Sequence, residues 1–430
     1  MGRCFNQMMP AVTLDKVKVA YKIKGSYDRN LVLKLALLSF PLFLSVDLDN
    51  ISRVLDYFIN GWKVISFVVL LAAYVVFSKD NAIRKHMVAF VVLLGILFVS
   101  TIVNSGSLKQ FFIVWGGFFG VILLVERYMR TSPRELLLAT KIVLGFLVVS
   151  NAITVLLFPD GVWRVVHDSG WRVTYEGYWL LGHRNNFGTP ILAALLAAYL
   201  ADNLKGVKVG KSTILIAFAS LVSVVLTWSA TSVVTTVVAI LVLVLSYVAP
   251  RVGIPKPAFL VSGYVIADVG VVFFDIQSRF SGFIENVLHR SSDLTGRKQL
   301  WDIVRQKFWD NPVIGHGVQA SKENGLTVIN ANYVHAHNGE LDVLYTAGFA
   351  GFACYCYLIV LSMIECAKYW KNNCVRISFA FLILLMIHAI TGLFFSSYAC
   401  FALMLCLNSS ILNRMTSYTE GEQEIVFDEG

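Results

Sequence analysis

Apolar segments close to membrane-spanning length recur from residue 31 to residue 413, and they set the fold class of this chain. Because the hydrocarbon core of a bilayer contains no water, a spanning segment must satisfy its own backbone hydrogen bonds, as an α-helix does. The chain is 57% hydrophobic and 15% charged, whereas soluble domains carry about 25% charged residues. The sequence therefore predicts an all-α polytopic membrane protein. About twelve transmembrane helices are predicted, at 31–46, 62–77, 87–103, 109–125, 136–158, 189–202, 213–228, 231–249, 257–276, 340–365, 377–395 and 398–413.

The distribution of positive charge predicts the orientation of these helices. Lysine and arginine follow every second predicted span, as at Arg84 and Lys85, whereas the first connection on the other side is acidic. Cytoplasmic loops carry the excess of lysine and arginine, so both termini are predicted to be cytoplasmic. Basic residues scattered over short loops do not form a nucleic-acid-binding face, despite the formal net charge of +9.

This topology predicts five regions. It also indicates that any catalytic chemistry takes place on the predicted outer side. The seven cysteines form no CxxC pair, so the sequence indicates neither a zinc site nor a disulfide framework. The two long outer loops, with the spans that they join, are the predicted source of function. The regions are a cytoplasmic segment (1–30), helices one to nine with an outer loop at 159–188 (31–276), a large extracytoplasmic loop (277–337), helices ten to twelve (338–413) and an acidic cytoplasmic tail (414–430).

Both outer loops carry basic residues beside aromatic ones. The first is rich in tryptophan and tyrosine, typical of an aromatic belt at the lipid headgroups, and ends in His183 and Arg184. An arginine directly before an apolar span either snorkels to the interface or binds an anion there. The second loop predicts a surface helix over 295–309, capped by Thr295, with an apolar stripe opposed by basic residues that include Arg297 and Arg305. A flexible turn follows this helix, in which His316 lies between Gly315 and Gly317.

The segment from His337 to Gly351 places polar residues at the start of an apolar helix. Asn338 is a good N-cap, and the N-terminus of the helix that follows would attract an anion. His337 is suited to accept a proton from a hydroxyl group near neutral pH. Gly348 and Gly351 are predicted to let a neighbouring helix pack closely. Two metal alternatives remain. His335 and His337 could form a metal pair, but no third ligand is apparent nearby. Asp47 and Asp49 could bind a metal as in another class of membrane glycosyltransferase, but an acidic outer loop is common enough to explain this pair.

Three motifs resemble the bacterial O-antigen ligase and O-antigen polymerase superfamily. The first is His337-Asn338 followed, after nine residues, by Gly348-Phe349-Ala350-Gly351. The second is Gly296-Arg297 through Trp301, followed by the segment from Asn311 to Gly317. The third is the segment from Gly182 to Gly188. The resemblance implies a fold like that of the GT-C membrane glycosyltransferases, with a helical extracytoplasmic loop domain between helices nine and ten.

The resemblance also implies an activity and a location. It implies a metal-independent inverting glycosyltransferase without cofactors, in the bacterial cytoplasmic membrane, with its active site on the extracytoplasmic side. The donor would be an oligosaccharide on undecaprenyl diphosphate, and the acceptor a glycan or a lipid. Membrane lipids, a flippase and a chain-length regulator are implied partners, and nucleic acid is not. The implied catalytic residues are His337, Arg297 and Arg184, and the substrate-binding candidates are Arg184, Arg297, His183, Asn338, Arg305 and His316.

Two activities fit these motifs, and a different class of protein remains as an alternative. A polymerase joins one lipid-linked repeat unit to another, whereas a ligase moves the finished glycan to a different acceptor such as lipid A–core. The sequence contains no recognisable lipid A site, which favours the polymerase of a surface polysaccharide. A flippase for lipid-linked sugars is a third alternative, because Asp268 and His388 are ionisable residues within predicted spans.

Overall fold

The computed structural model describes residues 27–44, 52–77, 83–168, 173–248, 253–276, 279, 297–319, 326–328, 331–333 and 335–416. Several predictions made from the sequence lie outside these residues. They concern the basic N-terminal segment before residue 27, the acidic pair Asp47 and Asp49, the Thr295 cap and the acidic tail from residue 417.

Helices make up most of the described chain, and each of the predicted apolar segments coincides with one. The helical, polytopic class is therefore confirmed. Seven described helices (α2, α3, α4, α5, α8, α9 and α11) are long and apolar enough to cross a membrane, so the count of about twelve spans stays a prediction. The helices are α1 (Arg29–Phe43), α2 (Arg53–Phe77), α3 (Lys85–Val103), α4 (Leu108–Thr131), α5 (Pro133–Leu157), α6 (Gly188–Asn203), α7 (Lys211–Thr227), α8 (Ala230–Val248), α9 (Pro257–Phe274), α10 (Arg297–Phe308), α11 (Gly339–Lys368), α12 (Asn373–Ala389) and α13 (Ser397–Leu407).

Helix α6 lies at the centre of the bundle. It packs against α5, α7, α8, α12 and α13, and almost all of its side chains are buried. Its alanine-rich sequence lets the neighbouring helices approach closely, which is how helices associate when lipid offers no hydrophobic driving force. At the periphery, α2 instead exposes apolar side chains such as Phe58 and Ile65. This distribution is typical of a bundle whose outer surface faces lipid.

Short β-strands occupy the two long loops. The loops agree with the prediction from the sequence, but the strands were not predicted. In the first loop, β1 (Trp163–Asp168), β2 (Val173–Trp179) and β3 (Gly182–His183) form an antiparallel sheet in that order. Trp163 pairs with Tyr178, and their rings stack with centroids 5.9 Å apart. The second loop contains the hairpin β4 (Leu326–Val328) and β5 (Ala331–Tyr333). Strands rich in aromatic and β-branched residues pair readily, so these aromatic side chains belong to a folded hairpin.

The surface helix predicted in the second loop is confirmed as α10. Its apolar stripe of Leu300, Trp301, Val304 and Phe308 is buried, and the helix packs against α11 and β4. The stripe therefore faces protein. This packing holds the start of α10 beside the start of α11.

Candidate active site

Asn338 caps α11, as predicted, and joins it to two other helices. Its side-chain oxygen accepts the backbone N–H of Leu341 at 2.9 Å. Its side-chain nitrogen donates to a carboxylate oxygen of Asp268 in α9 at 2.8 Å and to the Ile390 carbonyl, just after α12, at 3.2 Å. Asn338 is completely buried. The amide thereby fixes the N-terminus of α11 relative to α9 and α12.

His337 has a strained backbone that the surrounding contacts maintain. Its φ of 51° lies in the left-handed region, which costs a residue other than glycine about 1–2 kcal/mol. The preceding residue, Ala336, is held from both sides. Its carbonyl accepts the Trp301 indole N–H at 3.1 Å, and its N–H donates to Asp342 at 3.0 Å. Strain of this kind concentrates at functional sites.

Burial and positive charge keep the His337 ring neutral. Burial lowers its pKa from the ordinary value, and the nearby His335, Arg297 and His183 lower it further, to about 2. The His335 and His337 rings are 4.1 Å apart in an edge-to-face arrangement. Burial also lowers the pKa of His335, and Arg297 contributes in the same direction. At neutral pH, the His337 ring is therefore uncharged and within the electrostatic range of a permanent positive charge.

Arg297 is the cation that the structure brings to this group of histidines. It begins α10, and its charge acts on His335, His337 and also His388 at the end of α12. Of the residues selected from the sequence, the structure therefore brings Arg297 and His183 within electrostatic range of His337. The cation at the start of a surface helix thus lies near the N-terminus of α11, which itself attracts anions.

Arg184 lies in a short 3₁₀ turn between β3 and α6. The turn spans Arg184–Asn186. A guanidinium nitrogen of Arg184 is 3.5 Å from the Thr227 carbonyl at the end of α7. In the preceding residue, His183, one ring nitrogen accepts the Asn185 N–H at 3.4 Å and the other is 3.7 Å from Glu176. Arg184 thus borders the ends of α6 and α7.

Arg305 and His316 make other contacts. Arg305 pairs with Asp302 and lies over the Phe273 ring, 5.2 Å from its centre. One ring nitrogen of His316 donates to the Lys307 carbonyl at 2.8 Å, and its ring stacks on Tyr345 at 4.6 Å. These contacts stabilise the second loop, and the role of both residues in substrate binding stays a prediction.

Gly348 breaks α11, and this break differs from the helix packing predicted for that glycine. Its φ of 63° and ψ of −167° are not helical. A Cβ atom there would lie 2.4 Å from the Val313 carbonyl group, so the neighbour of Gly348 is loop backbone. Gly351 does pack against a helix, since a Cβ atom there would lie 3.3 Å from Leu93 in α3, although it would also lie 2.1 Å from Ala347 within α11.

The loop from Pro312 to Gly317 satisfies the backbone groups that the break leaves unpaired. Irregular backbone within a membrane requires such partners. The loop is held in turn by α3, where Ser100 donates to the Gly315 carbonyl at 2.8 Å. Four backbone bonds join loop and helix: Phe349 N–H to Pro312 (2.8 Å), Ala350 N–H to Val313 (3.0 Å), His316 N–H to Tyr345 (2.8 Å) and Gly317 N–H to Thr346 (2.9 Å).

Substitution of Gly348 is expected to destabilise the protein. Gly348→Ala would combine backbone strain with a clash against Val313, at a cost of roughly 3 kcal/mol. The matched control is Gly95→Ala in α3, because nothing lies within 4 Å of a Cβ atom there. Thermal unfolding of the detergent-solubilised chain should give a lower melting temperature for Gly348→Ala alone. An unchanged melting temperature would show that the break is not required.

The two ionisable residues proposed for transport lie at this junction. Asp268 accepts from Asn338, and a ring nitrogen of His388 lies 3.2 Å from the Asn185 carbonyl. Both side chains therefore have local partners next to the candidate catalytic residues. This position favours a structural or catalytic role for Asp268 and His388 over a role in a transport pathway through the helix bundle. Both residues are recognisable in the sequence as ionisable, but only the structure places Asp268 beside Asn338 and His388 beside Asn185.

Carboxylate groups surround the start of α11. Glu340 accepts hydrogen bonds from the hydroxyl groups of Tyr264 and, at 2.8 Å, Tyr355. Within the described ranges, no group of three or more His, Cys, Asp or Glu residues is placed to hold a metal ion. The expectation that the chain works without a metal stays a prediction.

The fold and this site define a class, a helical polytopic membrane protein with a half-buried histidine–arginine cluster near the starts of α10 and α11. Residues 215–356 match the family described as O-antigen ligase. The match includes Arg297 and His337, whereas Arg184 and His388 lie outside it. The family acts in lipopolysaccharide biosynthesis as ligase or polymerase. A search of curated proteins finds no match to the chain.

Proposed function

We propose that the protein transfers a glycan from undecaprenyl diphosphate to an acceptor hydroxyl group at the outer face of the cytoplasmic membrane. The observation that carries this proposal is the neutral His337 beside the charge of Arg297, at the N-terminus of α11. A neutral imidazole accepts a proton, and a helix N-terminus with an arginine neutralises an anion. Glycosyl transfer from a diphosphate requires both a proton acceptor and a group that neutralises the leaving anion.

The proposed reaction assigns one role to each group. His337 accepts a hydrogen bond from the acceptor hydroxyl as its oxygen attacks the anomeric carbon of the donor sugar. It takes the proton late, once the new bond has made that oxygen acidic enough for a base of low pKa. The bond between that carbon and the diphosphate oxygen breaks, and the electron pair leaves with the diphosphate. Arg297 and Arg184 neutralise the charge that develops on the leaving group. Attack opposite the leaving group inverts the anomeric centre, and no step requires a metal ion.

The family match favours a ligase over a polymerase. The matched family is described as O-antigen ligase, whereas the preference for a polymerase rested on finding no lipid A site in the sequence. We therefore propose ligation of a finished glycan onto lipid A–core or another acceptor as the main function. Polymerisation of repeat units is the second candidate, because the family includes that role as well.

Deletion of the gene distinguishes these activities by the glycan that remains. Polymer left on the carrier lipid, with none on the acceptor, would identify a ligase. Single repeat units attached to the acceptor would identify a polymerase. Donor that accumulates on the inner leaflet would identify a flippase and contradict transfer. Electrophoresis of the surface glycan, with analysis of the carrier lipid, reads out all three results.

We also propose the topology on which the reaction depends. Twelve spans with both termini in the cytoplasm place the loops at 159–188 and 277–337 outside, and the site with them. The basic residues after every second predicted span support this orientation. Reporter fusions at the connections between helices test it, since a cytoplasmic signal from the second loop would reverse the orientation.

The pH dependence of transfer should lack the inflection of an ordinary histidine. A histidine in water titrates near pH about 6.5, but burial and the neighbouring charges lower the pKa of His337 to about 2. Because kcat/KM reports the free enzyme, it should stay nearly constant from about pH 5 to about pH 8. A fall in kcat/KM below about pH 6.5 that disappears in His337→Asn would contradict a neutral His337.

A further inference from the structure

His388 makes one directional hydrogen bond at the end of α12. Its side chain is buried, and its Nε2 atom lies 3.2 Å from the backbone carbonyl of Asn185. A carbonyl oxygen only accepts hydrogen bonds, so Nε2 must carry the hydrogen. The bond therefore joins the end of α12 to the residue that directly follows Arg184.

Asn185 is held from two further directions. Its side-chain oxygen accepts from the Ser229 hydroxyl, just before α8, at 3.2 Å. Its backbone N–H donates to the His183 ring at 3.4 Å. Contacts from α12, from the start of α8 and from β3 thus converge on the middle residue of the 3₁₀ turn. A turn of three residues that is fixed in this way has little freedom to reorient Arg184.

Gly188 provides the space for the His388 ring. A Cβ atom on Gly188 would lie 2.4 Å from Cε1 of His388 and 2.6 Å from its Nδ1. Any larger residue at the start of α6 would displace the ring from Asn185. The motif from Gly182 to Gly188 therefore contains both the turn and the space for the ring that supports it.

We propose that His388 is a positioning residue that holds Arg184 towards the diphosphate of the donor. This inference rests on the proposed function, since it assumes that Arg184 binds a diphosphate. The charge of Arg297 also acts on His388, so the ring that contacts the Arg184 turn lies within electrostatic range of the cation at the start of α10. His388 acts through the Asn185 carbonyl and makes no contact with substrate.

Binding of undecaprenyl diphosphate to the solubilised full-length chain tests this role. His388→Leu removes the N–H donor and should weaken binding about tenfold. His388→Gln retains a side-chain N–H and should bind within about twofold of the unsubstituted protein. Gly188→Ala should weaken binding as His388→Leu does, because it displaces the ring. Melting temperatures verify that each variant is folded.

A double substitution separates positioning from general packing. In an Arg184→Ala background, His388→Leu should cause little further loss, because the residue that it positions is gone. An equal loss in both backgrounds, or a His388→Gln variant that binds as poorly as His388→Leu, would overturn the inference. If Arg184→Ala and Arg297→Ala both bind normally, the proposed function fails instead.

Discussion

His337→Asn is expected to lower the rate of glycan transfer by about 10²–10⁴-fold, the usual contribution of a positioned general base. The substitution removes the imidazole nitrogen that would take the acceptor proton. Asparagine tolerates the left-handed backbone better than most residues, so the φ of 51° at this position can be retained. The measurement is the rate of glycan transfer to acceptor in proteoliposomes at saturating donor.

Comparison with His337→Ala separates the effect of losing the imidazole from the effect of straining the backbone. Alanine also lacks the base but adapts poorly to a positive φ, so it should additionally lower the melting temperature. A loss of activity confined to His337→Ala would mean that the backbone matters and the imidazole does not. Full activity in both variants would exclude His337 from catalysis.

The sequence predicts the helices well because their cause is local. Span-length apolar runs have few alternatives in a membrane, and the stripe of α10 has the periodicity of a helix with one buried face. The Asn338 cap is equally local, since it requires a side-chain oxygen next to the first free N–H groups of α11. Bonds between neighbouring residues leave a direct signal in the sequence.

Features that depend on distant residues are less predictable. Two glycines separated by two residues are compatible either with close helix packing or with a break in the helix. At Gly348 the helix breaks because the loop from Pro312 to Gly317 packs against it. The role of His388 depends on Asn185, a residue 203 positions away in the chain. The sheet in the first loop did have a local signal, since β1 and β2 are rich in β-branched and aromatic residues.

Arg297→Gln is expected to lower kcat by about 10²–10³-fold, because it removes a preorganised donor to the leaving diphosphate. Arg297→Lys should recover only part of this loss. Lysine keeps the charge but lacks the planar fork that binds a phosphate through two hydrogen bonds. The neutral state of His337 should persist in both variants, because burial is the larger cause of its low pKa. The loss therefore measures neutralisation of the diphosphate and not a change in the protonation of His337.

Lys298→Gln is the matched control for Arg297→Gln, since it removes the same charge from the next residue of α10. Lys298 is exposed and pairs with Asp275 at 2.6 Å. If Arg297 acts by direct contact, Lys298→Gln should retain nearly full kcat. An equal loss in both variants would mean that α10 attracts the donor only through its net charge, an effect that salt would weaken. Insensitivity of the Arg297→Gln defect to salt, together with an active Lys298→Gln, would support a hydrogen-bonded contact with the leaving group.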